Sequence, residues 1–114
     1  MLMIVQELGW EELAECNKAM GDQSRLRMLA LLKTEDLCVC ELVEILGMTQ
    51  PAVSQHMRRL KSAKLVKERR QGQWVIYSLD GERLPYFRSV VDSLPDLSYE
   101  IEALKASGKK VVCD

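Results

Sequence analysis

The sequence is poor in histidine, with one residue in 114, and in aromatics, at 5%. It has no apolar run long enough to cross a bilayer, no glycine-rich phosphate loop, no internal repeat and no low-complexity stretch. His56 is the sole imidazole available to assist a cysteine nucleophile, and the length suits one domain with one modest core, so a two-domain enzyme is excluded. The opening Met1-Leu2-Met3-Ile4-Val5 is apolar, but it lacks a basic flank and stops at Gln6-Glu7, so no secretory leader is expected. These absences point to a cytoplasmic protein with no membrane partner. In that compartment the four cysteines are expected as metal ligands, redox thiols or core fillers and not as a disulfide framework.

What is present is 47% apolar and 29% charged residues, the mix of a soluble globular fold. At this size folding buries only roughly 60 to 70% of the extended chain's surface, which favours a dimer. The net charge of −1 gives no hint of a polyanion partner, but its distribution does. Between Gln55 and Val75 seven cations, Arg58, Arg59, Lys61, Lys64, Lys67, Arg69 and Arg70, face the single carboxylate of Glu68, a local charge of +6, while the rest of the chain carries −7. A basic stripe on an acidic body is either the footprint of a nucleic-acid module or a solvated helix face.

Apolar spacing predicts a first helix over Trp10 to Met20, stopped by Gly21, and a core helix capped by Asp22 or Ser24 with Leu26, Leu29, Ala30 and Leu32 on its stripe. A short third helix carries Leu42, Ile45 and Leu46 and ends at Gly47. Thr49 caps a fourth, with Pro51 in its first turn and Val53, Met57 and Leu60 as the buried stripe. Gln50, Ser54, Gln55, Arg58 and Arg59 then point outward. Leu65 to Arg69 and Trp74 to Leu79, flanking Gln71-Gly72, predict a hairpin. Glu82 to Ser93 is expected to be helical, Leu97 to Leu104 adds a turn or two, and the tail ends in Val111-Val112-Cys113-Asp114. Trp10 and Trp74 are expected in the core or at an interface.

Helix, short connection, helix with a polar-basic face, then hairpin is the order of a winged helix-turn-helix, a mainly α (α+β) fold of about five helices and one hairpin wing. The expected single domain spans 1–114, with the helix-turn-helix at about 38–63, the wing at about 65–79 and the C-terminal helix and tail at about 82–114. A helix of this kind enters the major groove, where Gln50 suits adenine and Arg58 suits guanine, with Ser54 and Gln55 adding adaptable contacts and Thr49 at the helix start completing the expected DNA-binding set. Arg59, Lys61, Arg69, Arg70 and Gln73 suit the phosphate backbone. His56 lies beside Gln55 but nearer the buried edge.

Cys38 and Cys40 form a C-x-C at the start of the third helix. In a regular helix two residues apart point about 200° away from each other, so the sulfurs converge only if the first lies in the non-helical lead-in. The helix dipole at that end is expected to lower a thiol pKa and favour the thiolate. Soft thiolates select thiophilic ions over Mg2+ or Ca2+. Alone, C-x-C is more often a pair of small buried apolar residues.

Leu37-Cys38-Val39-Cys40-Glu41-Leu42, Gly47-Met48-Thr49-Gln50-Pro51-Ala52-Val53-Ser54-Gln55-His56 and Gly72-Gln73-Trp74-Val75-Ile76-Tyr77-Ser78-Leu79 together resemble the ArsR/SmtB family of winged-helix metal-sensing repressors, over about Glu12 to Val91. The resemblance implies a homodimer, joined through the first and last helices, that binds an inverted-repeat double-stranded operator and releases it when an effector binds. The C-V-C segment resembles the arsenite/antimonite branch and also the cadmium/lead branch. It implies Cys38 and Cys40 as inducer thiolates for As(III) or Sb(III), with Cd(II), Pb(II) or Zn(II), or a redox or persulfide switch, as alternatives. Arsenite-type relatives often place a third cysteine where this chain has Val43, so a third sulfur would come from Cys16, from Cys113, from a small thiol, or not at all. Histidine-carboxylate zinc sites of other relatives' last helices have no counterpart here, because no histidine occurs there. A thiol oxidoreductase is disfavoured by the lack of C-x-x-C and of βαβ order.

Overall fold

The structure is a computed structural model that describes residues 8–109. Its elements run α1 (Trp10–Met20), α2 (Gln23–Thr34), β1 (Leu37–Cys38), α3 (Val39–Leu46), α4 (Gln50–Ser62), β2 (Val66–Gln71), β3 (Trp74–Leu79), α5 (Phe87–Ser93) and α6 (Ser98–Ala106). This is the expected winged helix-turn-helix order, with a sixth helix and a third strand beyond the five helices and single hairpin expected. Cys113 and the rest of the predicted tail lie outside the described residues.

The core is organised around α2, where Met28, Leu29, Leu31 and Leu32 are all buried, so that the helix is apolar nearly all round. Asp22 starts it by accepting a hydrogen bond from the Arg25 backbone N–H at 3.0 Å. Against α2 lies the inner face of α4, and here the spacing argument holds: Val53, Met57 and Leu60 are the buried residues of that helix. Each such side chain contributes roughly 1.5 to 3 kcal/mol through burial.

The connection between α3 and α4 is set by local chemistry. Gly47 adopts a left-handed backbone with φ 65° and closes α3 by donating its N–H to the Val43 carbonyl at 3.0 Å. Thr49 then accepts from the Ala52 N–H through its hydroxyl at 3.3 Å, and Pro51 occupies the first turn of α4. These caps leave α4 free to present its polar side.

The wing is a three-stranded antiparallel sheet in the order β1-β3-β2. β2 and β3 pair from Val66↔Leu79 to Gln71↔Trp74 around Gly72. β1 adds Leu37↔Tyr77 and Cys38↔Ile76 on the other edge of β3, so the segment before α3 belongs to the wing sheet.

One expectation is corrected. The helix predicted from Glu82 begins at Phe87, because Pro85 has no amide proton and its ring disfavours a helical Leu84. The chain instead makes tight turns, with the Leu84 N–H on the Gly81 carbonyl and the Phe87 N–H on the Leu84 carbonyl. Gly81 is required there, since a β-carbon would meet the Phe87 ring at 2.2 Å. Of the two places expected for Trp10, its 89% exposure removes the core of the single chain and leaves an interface, while Trp74 is half-buried in the wing.

Candidate nucleic-acid interface and thiol pair

The outer side of the α3–turn–α4 unit carries the residues that the sequence assigned to it. Thr49, Gln50, Gln55, Arg58, Arg59 and Lys61 are exposed and Ser54 is half-buried. In the wing, Arg69, Arg70 and Gln73 are exposed as well. Three of these cations are held by carboxylates of the same chain: Arg59 by Glu15 at 3.6 Å, Lys61 by Glu68 at 2.7 Å and Arg69 by Asp36 at 2.9 Å. Surface pairs of this kind contribute about 0 to 1 kcal/mol each, little enough for phosphate to displace. Arg58 and Arg70 make no ion pair among the described residues.

The thiols meet as the C-x-C geometry requires. Cys38 caps α3 from an extended backbone (φ −89°, ψ 165°) while Cys40 stands in the first turn, and their sulfurs are 2.8 Å apart. The Cys38 N–H donates to Glu41 Oε1 at 2.9 Å, so the Glu41 side chain reaches back over the start of α3. Glu41 is itself buried, at 2% exposure. The signal was present in the sequence as a capping residue three positions before a glutamate, and the unusual cap hid it.

One electrostatic expectation is overturned. The Cys38 thiol is not acidified by the helix end; its pKa is pushed up to about 12, first by burial and then by the hydrogen bond with the Cys40 thiol, against a smaller opposing pull from the Glu41 backbone N–H. With 1% exposure, Cys38 loses more from desolvation of its thiolate than one helix terminus returns. The two cysteines therefore differ: Cys38 is buried and Cys40 is exposed.

No third ligand among the described residues joins them. Among the described residues no group of three or more histidine, cysteine, aspartate or glutamate side chains is placed to hold a metal ion. Cys16 is buried on α1 with its thiol directed to the Ala63 carbonyl at 3.6 Å, and burial raises its pKa too.

Sequence reasoning missed the side chains behind α4. His56 Nδ1 lies 3.1 Å from Arg25 Nη1 and 3.8 Å from Asp22 Oδ2. These partners are 31 and 34 positions away in the chain, and no local periodicity reports such a contact.

Comparison with known proteins gives the geometry a family. Residues 22–68 match the family described as bacterial regulatory protein, arsR family. The transcriptional repressor SmtB homolog of Synechocystis sp. is 40% identical over 87 residues, covering 75% of this chain, and the chain spans 66% of that protein's length. An arsenical resistance operon repressor of Staphylococcus xylosus is 36% identical over 85 residues, covering 75% of this chain and 82% of its own length. Among solved structures, the homodimeric winged helix-turn-helix DNA-binding domain of a possible ArsR-family regulator from Mycobacterium bovis superposes with a TM-score of 0.65 at 26% identity, over 86% of this chain and 84% of that one. Sequence, fold and the order of helix, turn, helix and wing agree that the chain belongs to the arsR family of bacterial regulatory proteins.

Proposed function

We propose that the chain is a transcriptional repressor that binds an inverted-repeat operator as a homodimer and lets it go when As(III) or Sb(III) is captured by Cys38 and Cys40. The observation that carries this reading is the approach of the two sulfurs to 2.8 Å at the junction of β1 and α3. Two converging thiols are a soft donor set, suited to a thiophilic metalloid and unsuited to hard cations. The arsenical repressor relative supports the choice of inducer. Trp10 on α1 at 89% exposure and Tyr99 on α6 at 65% supply unpartnered aromatic surface on the first and last helices, where a second copy is expected to pack.

In this reading Gln50, Ser54, Gln55 and Arg58 contact bases, while Thr49, Arg59, Lys61, Arg69, Arg70 and Gln73 hold the backbone. Cys38 belongs to the wing sheet and Cys40 to the first turn of α3. A change in the separation of the two sulfurs therefore acts on the wing through β3 and on α4 through α3. Half-sites on the duplex lie about 34 to 36 Å apart, so a small tilt in each protomer spoils the match. A third sulfur would come from Cys16, from Cys113, from a small thiol, or not at all.

A mobility-shift assay under reducing conditions tests this reading. Arsenite should release DNA from the wild type and fail to release it from Cys38→Ser and Cys40→Ser, and whichever of Cys16→Ser and Cys113→Ser loses sensitivity identifies the third ligand. Release by Cd(II), Pb(II) or Zn(II) alone would move the assignment to those ions. Release by peroxide or polysulfide with indifference to arsenite would make the pair a redox switch.

A further inference from the structure

His56 is the only histidine of the chain, and it sits on α4 one residue from Gln55 with its ring turned toward α2. Facing it, Arg25 from the first turn of α2 does three things at once. Its Nη1 reaches His56 Nδ1 at 3.1 Å, its Nε donates to the Ala19 carbonyl at 2.6 Å and its Nη2 donates to the Lys18 carbonyl at 3.5 Å. One guanidinium thus joins the C-terminal end of α1, the N-terminal end of α2 and the middle of α4.

The chemistry of that contact selects a tautomer of the neutral ring. A guanidinium has donors only, so the ring nitrogen that faces it has to be the bare acceptor, with the imidazole proton on Nε2. Addition of a second proton would set N–H against N–H and cation against cation at 3.1 Å. Asp22 Oδ2, 3.8 Å from the same nitrogen, is then the acceptor at hand, although it already caps α2 through the Arg25 N–H. The other charged groups near α4 are engaged elsewhere: Glu15 of α1 pairs with Arg59 and Lys18, Glu68 of β2 pairs with Lys61, and Glu41 of α3 holds the Cys38 N–H.

Resting on the assignment of α4 as the DNA-contacting helix, we infer that Arg25 is a positioning residue that holds α4 through neutral His56, and that protonation of His56 slackens this tie and weakens DNA binding. The sign is opposite to that of an extra cation near phosphate, which would tighten binding in acid.

Two measurements on the full chain test the tie. The first needs no DNA. A long-range 1H–15N spectrum at about pH 8 should show the single histidine with Nδ1 bare and Nε2 protonated, and Arg25→Ala should alter that balance. The Nδ1–H tautomer in the wild type would overturn the proposal.

The second uses a fluorescein-labelled duplex selected from a random pool by the wild type at about pH 8. Between about pH 8 and about pH 5.5 at constant salt the wild type should lose about tenfold in affinity, the scale of one hydrogen bond to a charged group. His56→Asn, whose amide oxygen keeps an acceptor that does not titrate, should retain affinity at pH 8 and lose the pH dependence. Tighter binding in acid, or the same loss in both proteins, contradicts the tie. Failure to select any duplex would strike the DNA assignment instead, and the tautomer result then decides on the tie alone.

Discussion

Cys38 and Cys40 are two positions apart in sequence yet occupy different environments, and the difference predicts their reactivity. A thiolate is the nucleophile toward alkylating agents, and burial opposes its formation at Cys38. Iodoacetamide at pH 8 with peptide mapping should therefore label exposed Cys40 well before Cys38; equal labelling would show that the buried thiol is open to solvent. The raised value also has a consequence for stability. Its folded pKa of about 12 lies above the ordinary 9.0, so the contribution of the neutral buried thiol is complete below about pH 9 and is lost as pH rises through 12. Urea midpoints of the wild type should fall more steeply above pH 9 than those of Cys38→Ser. Arsenous acid brings hydroxide leaving groups that carry the thiol protons away as water, so capture of As(III) by Cys38 and Cys40 should depend little on pH below the thiol range, whereas a divalent ion such as Cd(II) has to displace protons and its affinity should rise with pH. At this scale the sequence was a partial guide. The convergence of the sulfurs followed from helix geometry, whereas the direction of the Cys38 shift depended on burial, which spacing does not report.

Among the elements, the ones with strong periodicity were legible: α2, α4 and the β2–β3 hairpin stand close to where the apolar pattern and turn residues put them. β1 was invisible because two residues give no alternation, and it exists through its pairing with β3, almost 40 positions downstream. In the proposed mechanism that strand ties the wing to the thiol pair. Cys38, Ile76 and Arg69 lie on one rung across the sheet, and Arg69 reaches back to Asp36, just before β1. If Arg69 holds the duplex as proposed, Asp36 competes with phosphate for it. Asp36→Asn should raise DNA affinity by up to about fivefold, the ceiling for an exposed ion pair, and steepen the dependence of log affinity on log salt. Fluorescence anisotropy over a salt series measures both; an unchanged affinity and slope would mean that Arg69 does not contact the duplex.

For the molecule as a whole, the proposed function makes one linked system of the basic stripe and the thiol pair at the corner of the wing sheet. Linkage requires reciprocity: an inducer that weakens the grip on DNA by some factor has to be bound more weakly, by the same factor, when DNA is present. The most direct test is to titrate arsenite into the free dimer and into the dimer saturated with its selected duplex, following the sulfur-to-arsenic absorption. Proposed capture by Cys38 and Cys40 predicts that DNA lowers arsenite affinity at least about tenfold, matching the loss of DNA affinity caused by arsenite. Identical arsenite affinities with and without DNA would contradict any connection between the two sulfurs and the operator.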